Sequence, residues 1–323
     1  MTQAALIETR IVARAEVARD ICVFEIGAAG AAPLPAVEAG AHIDVHVSGF
    51  VRQYSLLDGP SRAPRSYRIA VLRAASSRGG SEAMHVQLRE GSALRISAPR
   101  NNFPLRPDSS CSVLIAGGIG ITPLMSMAAA LHASGARFAL HYCARSRDRM
   151  AFADELQRAP FAHAVHLYSD DEAQSAFDGG AVLASQPSGA HLYVCGPQGF
   201  MDHVLGIARA AGWDERRLHH EYFQAAAVAP TSGGDRAFEL IAVRSGKRIT
   251  VAAAESALQA LTRCGIEVAF SCQQGVCGSC LTPVLEGIVD HRDSFLTSQE
   301  KVRNEAFLPC CSRAHGDVLM VDL

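Results

Sequence analysis

Five cysteines near the end of the chain have the residue type and spacing of a metal–sulfur ligand set. Cys272, Cys277 and Cys280 are separated by four and then two residues, and the neighbours Cys310 and Cys311 follow after a long gap. This C-x4-C-x2-C…C series is the ligand spacing of a plant-type [2Fe–2S] cluster. A structural zinc site would usually add a second C-x2-C motif or histidines at similar spacing, which this segment lacks. The series therefore predicts a [2Fe–2S] cluster whose fourth ligand is either Cys310 or Cys311.

A glycine-rich segment, residues 117–123 (GGIGITP), could hold a pyrophosphate. It lies between an apolar run and a helical pattern. Glycines let a phosphate approach the backbone closely, and the N-terminus of a helix favours negative charge. We expect Thr122 to cap the helix and Pro123 to occupy its first position. The segment departs from G-x-G-x-x-G, so an ordinary tight turn is the alternative.

A second turn in the same setting, Cys195-Gly196-Pro197, ends another apolar run and precedes another helical pattern. In an open parallel sheet, ligands bind outside the carboxyl ends of the strands. The two turns could therefore share one nucleotide. By residue type alone, Cys195 is a small buried residue and not a nucleophile.

Two segments in the first third of the chain could bind a flavin. Arg52, Tyr54 and Ser55 lie in one β-like run, where a guanidinium suits a phosphate, a ring suits a flat heterocycle and a hydroxyl suits a ring nitrogen. The alternative is a surface arginine beside a packed tyrosine. The segment 79–81 (GGS) precedes a predicted helix that has Ser81 as its N-cap and Gly91 just past its end. Its amides could hold a phosphate, or it could simply begin a capped helix.

The chain of 323 residues divides into segments with different patterns. Residues 1–107 contain short β-rich runs with period-two alternation, which predicts an antiparallel β-barrel. Residues 108–226 alternate apolar runs with helical stretches, which predicts an α/β unit with a parallel sheet. Residues 227–236 are mostly small or polar and are typical of a linker. Residues 237–323 combine a hairpin pattern, a helix, the cysteine series and a final strand.

Composition excludes several classes of protein. The formal net charge of −2 argues against nucleic acid and anionic membranes as partners. The stretch 109–136 has no charged residue, but its glycines and Pro123 divide it into a strand and a helix, so no membrane span is expected. The N-terminal residues lack the apolar core of an export signal. Because four of the ten cysteines fit a ligand pattern, a reducing, cytoplasmic setting is expected.

The order of these motifs is more specific than any one of them. The chain carries, in this order, R-x-Y-S, GGIGITP, C-G-P and the cysteine series. Over its whole length it therefore resembles the phthalate dioxygenase reductase family, which includes the vanillate O-demethylase reductases. The resemblance implies a multidomain mixed fold. Its parts would be an FMN-binding antiparallel β-barrel domain (1–107), an NAD-binding α/β parallel-sheet domain of ferredoxin–NADP reductase type (108–226), a linker (227–236) and a β-grasp [2Fe–2S] ferredoxin domain (237–323).

Residue by residue, the resemblance assigns roles to the motif positions. Arg52, Gly80 and Ser81 would hold the flavin phosphate, Tyr54 would pack against the flavin, and Ser55 would bond near its N5 atom. The nicotinamide nucleotide would be bound by Gly118, Gly120, Ile121, Thr122, Pro123, Cys195, Gly196 and Pro197. The catalytic set would be Ser55, Cys195, and Glu221 and Phe223 from an E-x-F motif. The last cluster ligand of the family lies in C-x-S-R, so the implied metal ligands are Cys272, Cys277, Cys280 and Cys310.

The resemblance also implies an activity and a partner. NADH would deliver a hydride to FMN, and single electrons would pass through the [2Fe–2S] cluster to the oxygenase component of a Rieske-type dioxygenase or O-demethylase. The alternative is the same electron path serving a cytochrome P450 or another monooxygenase. NADH is implied by the family, although Asp170 and Asp171 would also repel a 2′-phosphate. The protein is expected to be a cytoplasmic monomer without nucleic acid or membrane partners.

Overall fold

The computed structural model describes residues 6–74, 79–172, 176–223 and 235–323. Its contacts divide the chain into two compact units, of which the first ends at Glu221 and the second begins at Tyr222. Most of the predicted linker, residues 227–234, lies outside the described residues.

The first part of the first unit is an antiparallel β-barrel. Its elements are β1 (Ile7–Ala18), β2 (Ile21–Ala28), β3 (His42–Val47), β4 (Phe50–Ser55), β5 (Ser66–Leu72), α1 (Gly80–Gln87) and β6 (Ala93–Ile96). The strands pair in the order β4-β3-β6-β1-β2-β5, and every pairing is antiparallel. The two end strands meet at a bridge between Leu56 and Ile69, which closes the sheet. Strand β6 alternates strictly between exposed and buried positions, β3 is buried at five of its six positions, and Phe24, Ile43 and Val45 are fully inaccessible.

Helix α1 begins two residues earlier than the sequence predicts. Its N-cap is Gly79, which has a left-handed φ of 103°, and Ser81 lies inside the first turn. The Ser81 hydroxyl instead accepts a hydrogen bond from the Ala74 N–H at 3.3 Å. The helix ends at Gln87 with Leu88 as C-cap, so Gly91 lies farther past its end than predicted. Glycine is required at position 79 because of its φ and because a Cβ there would lie 2.6 Å from the Phe50 ring.

The second part of the first unit is a parallel sheet with helices. Its elements are β7 (Ser112–Gly117), α2 (Ile121–Ala133), β8 (Phe138–Ala144), α3 (Ala153–Arg158), β9 (Val165–Ser169), α4 (Gly179–Ala184), β10 (His191–Cys195), α5 (Gln198–Ala210) and β11 (Leu218–Glu221). The strand order is β11-β10-β7-β8-β9, and all neighbours are parallel. Strand β11 was not predicted, because four residues that include two histidines give no apolar run. This strand places Glu221 at the carboxyl edge of the sheet.

The start of α2 also differs from its prediction. A 3-10 turn, Gly118–Gly120, follows β7, and Gly120 is the N-cap of α2. Thr122 and Pro123 therefore lie within the first turn of the helix and not at its cap and first position. The Thr122 hydroxyl donates back to the Ile119 carbonyl at 3.0 Å, which ties the helix start to the turn.

Polar contacts join the barrel to the parallel sheet within the first unit. Arg68 on β5 donates to Asp58 at 2.8 Å and to Glu155 on α3 at 3.0 Å. The Ser126 hydroxyl on α2 donates to the Asp58 carbonyl at 2.7 Å. A hydrogen bond from Ser126, which is fully inaccessible, fixes the segment after β4 against α2.

The second unit is a small mixed sheet packed against one helix, the arrangement of a β-grasp fold. Its elements are β12 (Phe238–Ala242), β13 (Lys247–Val251), α6 (Ala257–Arg263), β14 (Thr282–Glu286), β15 (Val289–Asp290), α7 (Ser298–Arg303), β16 (Ala306–Phe307), β17 (Arg313–Ala314) and β18 (Val318–Val321). The main sheet has the order β13-β12-β18-β14-β16, in which β12 and β18 are parallel. Helix α6 starts at a capping box formed by Ser256 and Gln259 and buries Leu261 in the core.

The predicted multidomain mixed fold class is confirmed by these sheets. Among the described residues, no helix is both long and apolar enough to cross a membrane.

Candidate functional site

The two glycine turns lie against each other at the carboxyl edge of the parallel sheet. Strands β7 and β10 are neighbours in register, with Ala116 opposite Cys195. A Cβ on Gly120 would lie 2.2 Å from the Cys195 carbonyl oxygen, and a Cβ on Gly196 would lie 3.0 Å from the Gly117 backbone. Glycine is therefore needed at both positions, and the structure brings the two turns together as expected for one shared ligand.

The barrel residues singled out for a flavin phosphate also meet. The Arg52 side chain from β4 lies over the start of α1, because a Cβ on Gly80 would be 2.6 Å from Arg52 Nε. The guanidinium also lies 5.2 Å from the centre of the Phe50 ring, and its Nη1 donates to the Val51 carbonyl at 2.8 Å. Because Gly80 has no side chain, there is room for the guanidinium beside the first backbone amides of the helix. Such a combination suits a phosphate group.

Tyr54 and Ser55 continue the same strand toward the parallel sheet. Burial raises the pKa of Tyr54, with the Arg52 charge as a smaller opposing influence, so the phenol remains neutral. Ser55 is buried, and its hydroxyl has no partner among the described residues. A buried hydroxyl without a partner is costly, which indicates that a ligand atom completes this site.

Two further buried groups without complete hydrogen bonding lie near Ser55. His42 on β3 is directly opposite Ser55 in the β3–β4 register, so both side chains lie on the same face. His42 Nδ1 lies 3.9 Å from Glu221 Oε1, at the end of β11. Neither His42 Nδ1 nor Glu221 Oε2 has a hydrogen-bond partner among the described residues. The barrel and the parallel sheet therefore share a cluster of unsatisfied polar atoms.

Protonation at this cluster is set mainly by burial. Loss of solvent raises the pKa of Glu221 to about 8. It lowers the pKa of His42 to about 4, and the positive charge of Arg100 lowers the His42 pKa further. Near neutral pH, Glu221 is thus a carboxylic acid and His42 a neutral imidazole. Cys195 is fully inaccessible, and its thiol lies 3.4 Å from the Glu221 carbonyl. Burial raises the pKa of this thiol well above its usual value, which favours the neutral thiol over a nucleophilic thiolate.

These groups fit a flat, polar heterocycle such as a flavin ring. A hydroxyl, a carboxyl group and an imidazole that lack partners could bond to its edge, while Tyr54 is an aromatic neighbour. Of the residues predicted for this region, the structure brings together Ser55, Cys195 and Glu221. Phe223 is half-buried and belongs to the second unit. Sequence reasoning missed His42, whose only signal was its place in an alternating β-like run.

The thiols of the predicted cluster ligands are arranged in two pairs. The thiol of Cys272 contacts that of Cys277, and Cys280 contacts Cys310. No three metal-binding side chains of the described residues surround a single ion position. Two pairs suit a cluster of two irons, in which each iron takes two protein thiolates. The hydrogen bond between the Cys272 and Cys277 thiols lowers the pKa of Cys277 and raises the pKa of Cys272, so one proton is shared by the pair.

Backbone N–H groups and two glycines shape the cysteine loop. The N–H groups of Gln274 and Ser279 point at the sulfurs of Cys272 and Cys277, at 3.3 and 3.4 Å. Gly275 and Gly278 have φ angles of 73° and 70°, values that favour glycine. A Cβ on Gly278 would also lie 2.2 Å from the Phe295 ring.

Cys310 and Cys311 occupy different positions relative to this loop. The Cys310 thiol contacts Cys280 and accepts the Gly275 N–H, so it belongs to the cluster of ligand thiols. The Cys311 sulfur contacts the Cys310 thiol, and a Cβ on Gly275 would be 2.5 Å from it. It lies beside the Ser312 hydroxyl at 3.7 Å. The contact with Cys280 is consistent with Cys310 as the fourth ligand, and the assignment of Cys310 over Cys311 stays a prediction.

Sequence comparison relates this architecture to known proteins. Residues 241–315 match the family model of the 2Fe-2S iron-sulfur cluster binding domain. Residues 95–218 match the N-terminal domain of proteins like the dimethylamine monooxygenase subunit DmmA. A vanillate O-demethylase oxidoreductase from Pseudomonas sp. (strain HR199 / DSM 7063) is 48% identical, over 98% of this chain and 100% of its own.

Solved structures give the same relationship. Phthalate dioxygenase reductase, described as a modular structure for electron transfer from pyridine nucleotides to [2Fe-2S], matches with a TM-score of 0.75 and 37% identity, over 99% of this chain and 98% of its own. An intact type IV self-sufficient cytochrome P450 monooxygenase matches with a TM-score of 0.86 and 36% identity, over 98% of this chain but 41% of that longer one. The chain therefore belongs to the family of vanillate O-demethylase oxidoreductases and phthalate dioxygenase reductase, and it is an oxidoreductase of the electron-transfer type.

Proposed function

We propose that this chain is the reductase component of a Rieske-type oxygenase, a dioxygenase or an O-demethylase. It takes a hydride from NADH to FMN and passes single electrons through a [2Fe–2S] cluster to the oxygenase. The observation that carries the proposal is the buried cluster of Ser55, His42 and Glu221. It lies where the barrel meets the edge of a sheet that carries two glycine turns. The protein acts as a monomer, in the cytoplasm.

The barrel, residues 1–107, binds FMN in this assignment. Arg52 holds the phosphate together with the backbone at Gly80 and Ser81, since the guanidinium already lies over that helix start. Tyr54 would pack against the flavin ring, and the partnerless Ser55 hydroxyl would bond to its edge near N5. A bidentate guanidinium supplies charge and direction at once, which a lysine could not.

Residues 108–226 bind NADH at the two glycine turns. Gly118, Gly120 and the start of α2 hold the pyrophosphate through backbone amides. Cys195, Gly196 and Pro197 would hold the nicotinamide, with Glu221 beside them, and the role of Phe223 is implied by the E-x-F motif alone. Asp170 and Asp171 are exposed after β9 and disfavour the extra phosphate of NADPH by like charge.

The side chains around the reacting atoms orient groups and do not form covalent bonds with them. Bound FMN supplies the chemistry, because a flavin accepts a hydride and releases its electrons one at a time. Cys195 stays a neutral thiol that fits closely beside the Glu221 backbone. In residues 237–323, Cys272, Cys277, Cys280 and Cys310 hold the [2Fe–2S] cluster, and the loop amides point at its sulfur ligands.

The second candidate is the same electron path ending at a cytochrome P450. The likeness to part of a self-sufficient P450 chain favours it. The full-length match to a vanillate O-demethylase oxidoreductase, which covers both chains almost completely, favours the Rieske-type acceptor. Mixing the NADH-reduced protein with a purified Rieske oxygenase or with a P450 and recording the reduction of each acceptor decides between them.

The visible spectrum of the purified protein tests the shared part of both candidates. We expect flavin bands and a reddish [2Fe–2S] absorption, both bleached by NADH, with one FMN and two irons per chain. A colourless protein that contains stoichiometric zinc would contradict the electron-transfer assignment. A flavin that NADH leaves oxidised would contradict the assignment of the nucleotide site.

A further inference from the structure

His42, which belongs to none of the sequence motifs, forms a buried pair with Glu221. His42 is 3% exposed, and its Nδ1 atom lies 3.9 Å from Glu221 Oε1. The other ring nitrogen, Nε2, lies 3.2 Å from the Gln53 amide nitrogen. Because an amide N–H donates to Nε2, the neutral ring carries its proton on Nδ1, which faces Glu221. The imidazole is therefore bonded to Gln53 on β4 through Nε2, and its Nδ1 faces Glu221 on β11.

Every other charged group near His42 is already paired. Asp44, two residues along β3, accepts from Arg100 at 2.6 Å, and Arg100 pairs with the His42 backbone on the neighbouring segment. Ser55 and Gln53 on β4 are uncharged. Glu221 on β11 is thus the one ionisable group facing the imidazole that lacks an ion pair among the described residues.

We propose that His42 is a positioning residue for Glu221: its Nδ1–H engages Oε1 and leaves Oε2 as the oxygen that faces the bound cofactors. The proposal rests on the proposed function and adds a residue to it. The two atoms need to approach by about 1 Å to reach hydrogen-bond distance, a movement that one side-chain rotation provides. Oε2 has no partner among the described residues, so its proton is available to a ligand acceptor.

The protonation states of the pair suit this role near neutral pH. Glu221 is a carboxylic acid whose Oε2–H can donate, and His42 is a neutral ring with one donor. A donor aimed at Oε1 also stabilises the carboxylate, so it keeps the pKa of Glu221 from rising further. Removal of the imidazole should therefore shift the ionisation of Glu221 to higher pH.

The experiment compares His42→Leu, His42→Asn and the wild type as full-length proteins with cofactors bound. The Asn Nδ2–H replaces the His Nδ1–H, whereas Leu removes the donor. The first measurement is an infrared titration of the protonated carboxyl C=O band, without NADH, with Glu221→Gln identifying the band. The ionisation of Glu221 should move up by about one pH unit in His42→Leu and return toward the wild-type value in His42→Asn.

The second measurement is stopped-flow reduction of the flavin by NADH across the same pH range. His42→Leu should lower the limiting rate by about tenfold, change the apparent NADH affinity by less than about twofold, and shift the alkaline fall in rate with the carboxyl titration. His46→Asn, on the same strand, is the matched control and should leave the titration and the rate unchanged. Flavin content per chain, measured for each variant, shows that the site is still formed.

The outcomes separate this inference from the proposed function. A wild-type flavin that NADH does not reduce removes the proposed function. A wild type that is reduced normally, combined with an unshifted Glu221 titration in His42→Leu, overturns the role of His42. An alkaline fall in rate that persists in Glu221→Gln also overturns it, because the titrating group is then another residue.

Discussion

The backbone of Gly120 lies directly against the carbonyl of Cys195, so that a Cβ on residue 120 would stand 2.2 Å from that oxygen. Side chains do not tolerate approaches below 3.0 Å to a backbone atom. This contact joins the turns after β7 and β10 into one binding edge. Only glycine fits at position 120.

Gly120→Ala should therefore separate the two turns. We expect at least about tenfold weaker NADH binding and a loss of about 1–3 kcal/mol in the free energy of unfolding, because the backbone must shift to admit a methyl group. Titration of flavin reduction with NADH, together with thermal unfolding, measures both. Gly206→Ala, at an open helical position of α5, is the control and should stabilise the protein by up to about 1 kcal/mol. Normal NADH affinity in Gly120→Ala would refute the shared-turn site.

Arg52→Gln should weaken FMN binding by about 10- to 100-fold. The substitution removes a charge-assisted hydrogen bond to the phosphate, which contributes about 1.5–3 kcal/mol. Fluorescence titration of the flavin-free protein with FMN and with riboflavin measures the effect. Riboflavin lacks the phosphate, so its affinity should be nearly unchanged; an equal loss for both ligands would place Arg52 away from the phosphate. Arg62→Gln, at an exposed position, is the control.

Cys310→Ser should abolish assembly of the [2Fe–2S] cluster, whereas Cys311→Ser should preserve it. The Cys310 thiol contacts Cys280, whereas the Cys311 thiol contacts Cys310 and lies 3.7 Å from the Ser312 hydroxyl. The EPR signal of the reduced protein and its iron content measure assembly. The opposite pair of results would assign the fourth ligand to Cys311.

Glu221 should make the stability of the protein depend on pH. Burial raises its pKa from 4.5 to about 8, so the contribution of this group is fully present below pH 4.5 and is lost as the pH rises toward 8. Glu221→Gln removes this titration. Its free energy of unfolding relative to the wild type should therefore rise by a few kcal/mol as the pH increases from about 5 to about 9. Thermal unfolding midpoints across that range test this, with exposed Glu90→Gln as the control. A pH-independent difference for Glu221→Gln would show that the carboxyl group is not buried in solution.

Electron delivery to the oxygenase should depend weakly on salt. Residues 268–285, which include the whole cysteine loop, contain no charged side chain, and Phe270 and Leu281 beside the loop are 42% and 44% exposed. Nearby, Lys301 and Asp293 face each other at 3.8 Å. Without opposing charges to screen, the rate should change less than about threefold between about 0.02 and about 0.5 M salt. A steep decline would show that charged residues elsewhere steer the encounter.

Much of this molecule follows from local sequence. The cysteine spacing, the glycine turns and the change from period-two to strand–helix patterns predicted a 2Fe-2S domain, two glycine turns at one sheet edge and the three kinds of sheet. These features are local because thiolate spacing, backbone freedom and side-chain periodicity act over a few residues. Helix starts were less accurate: Gly79 and Gly120 serve as N-caps where Ser81 and Thr122 were expected, since packing against Phe50 and Cys195 selected glycine there.

The amino-acid sequence by itself determined which chemical groups this protein carries and in what order. Only the tertiary structure decided which of them meet. His42 and Glu221 come from two different sheets and are far apart in the chain. Strand β11, which carries Glu221, has no apolar pattern from which it could be predicted. Their approach depends on the strand order β11-β10-β7 and on how the barrel packs against that sheet, and such long-range pairings leave no local periodicity.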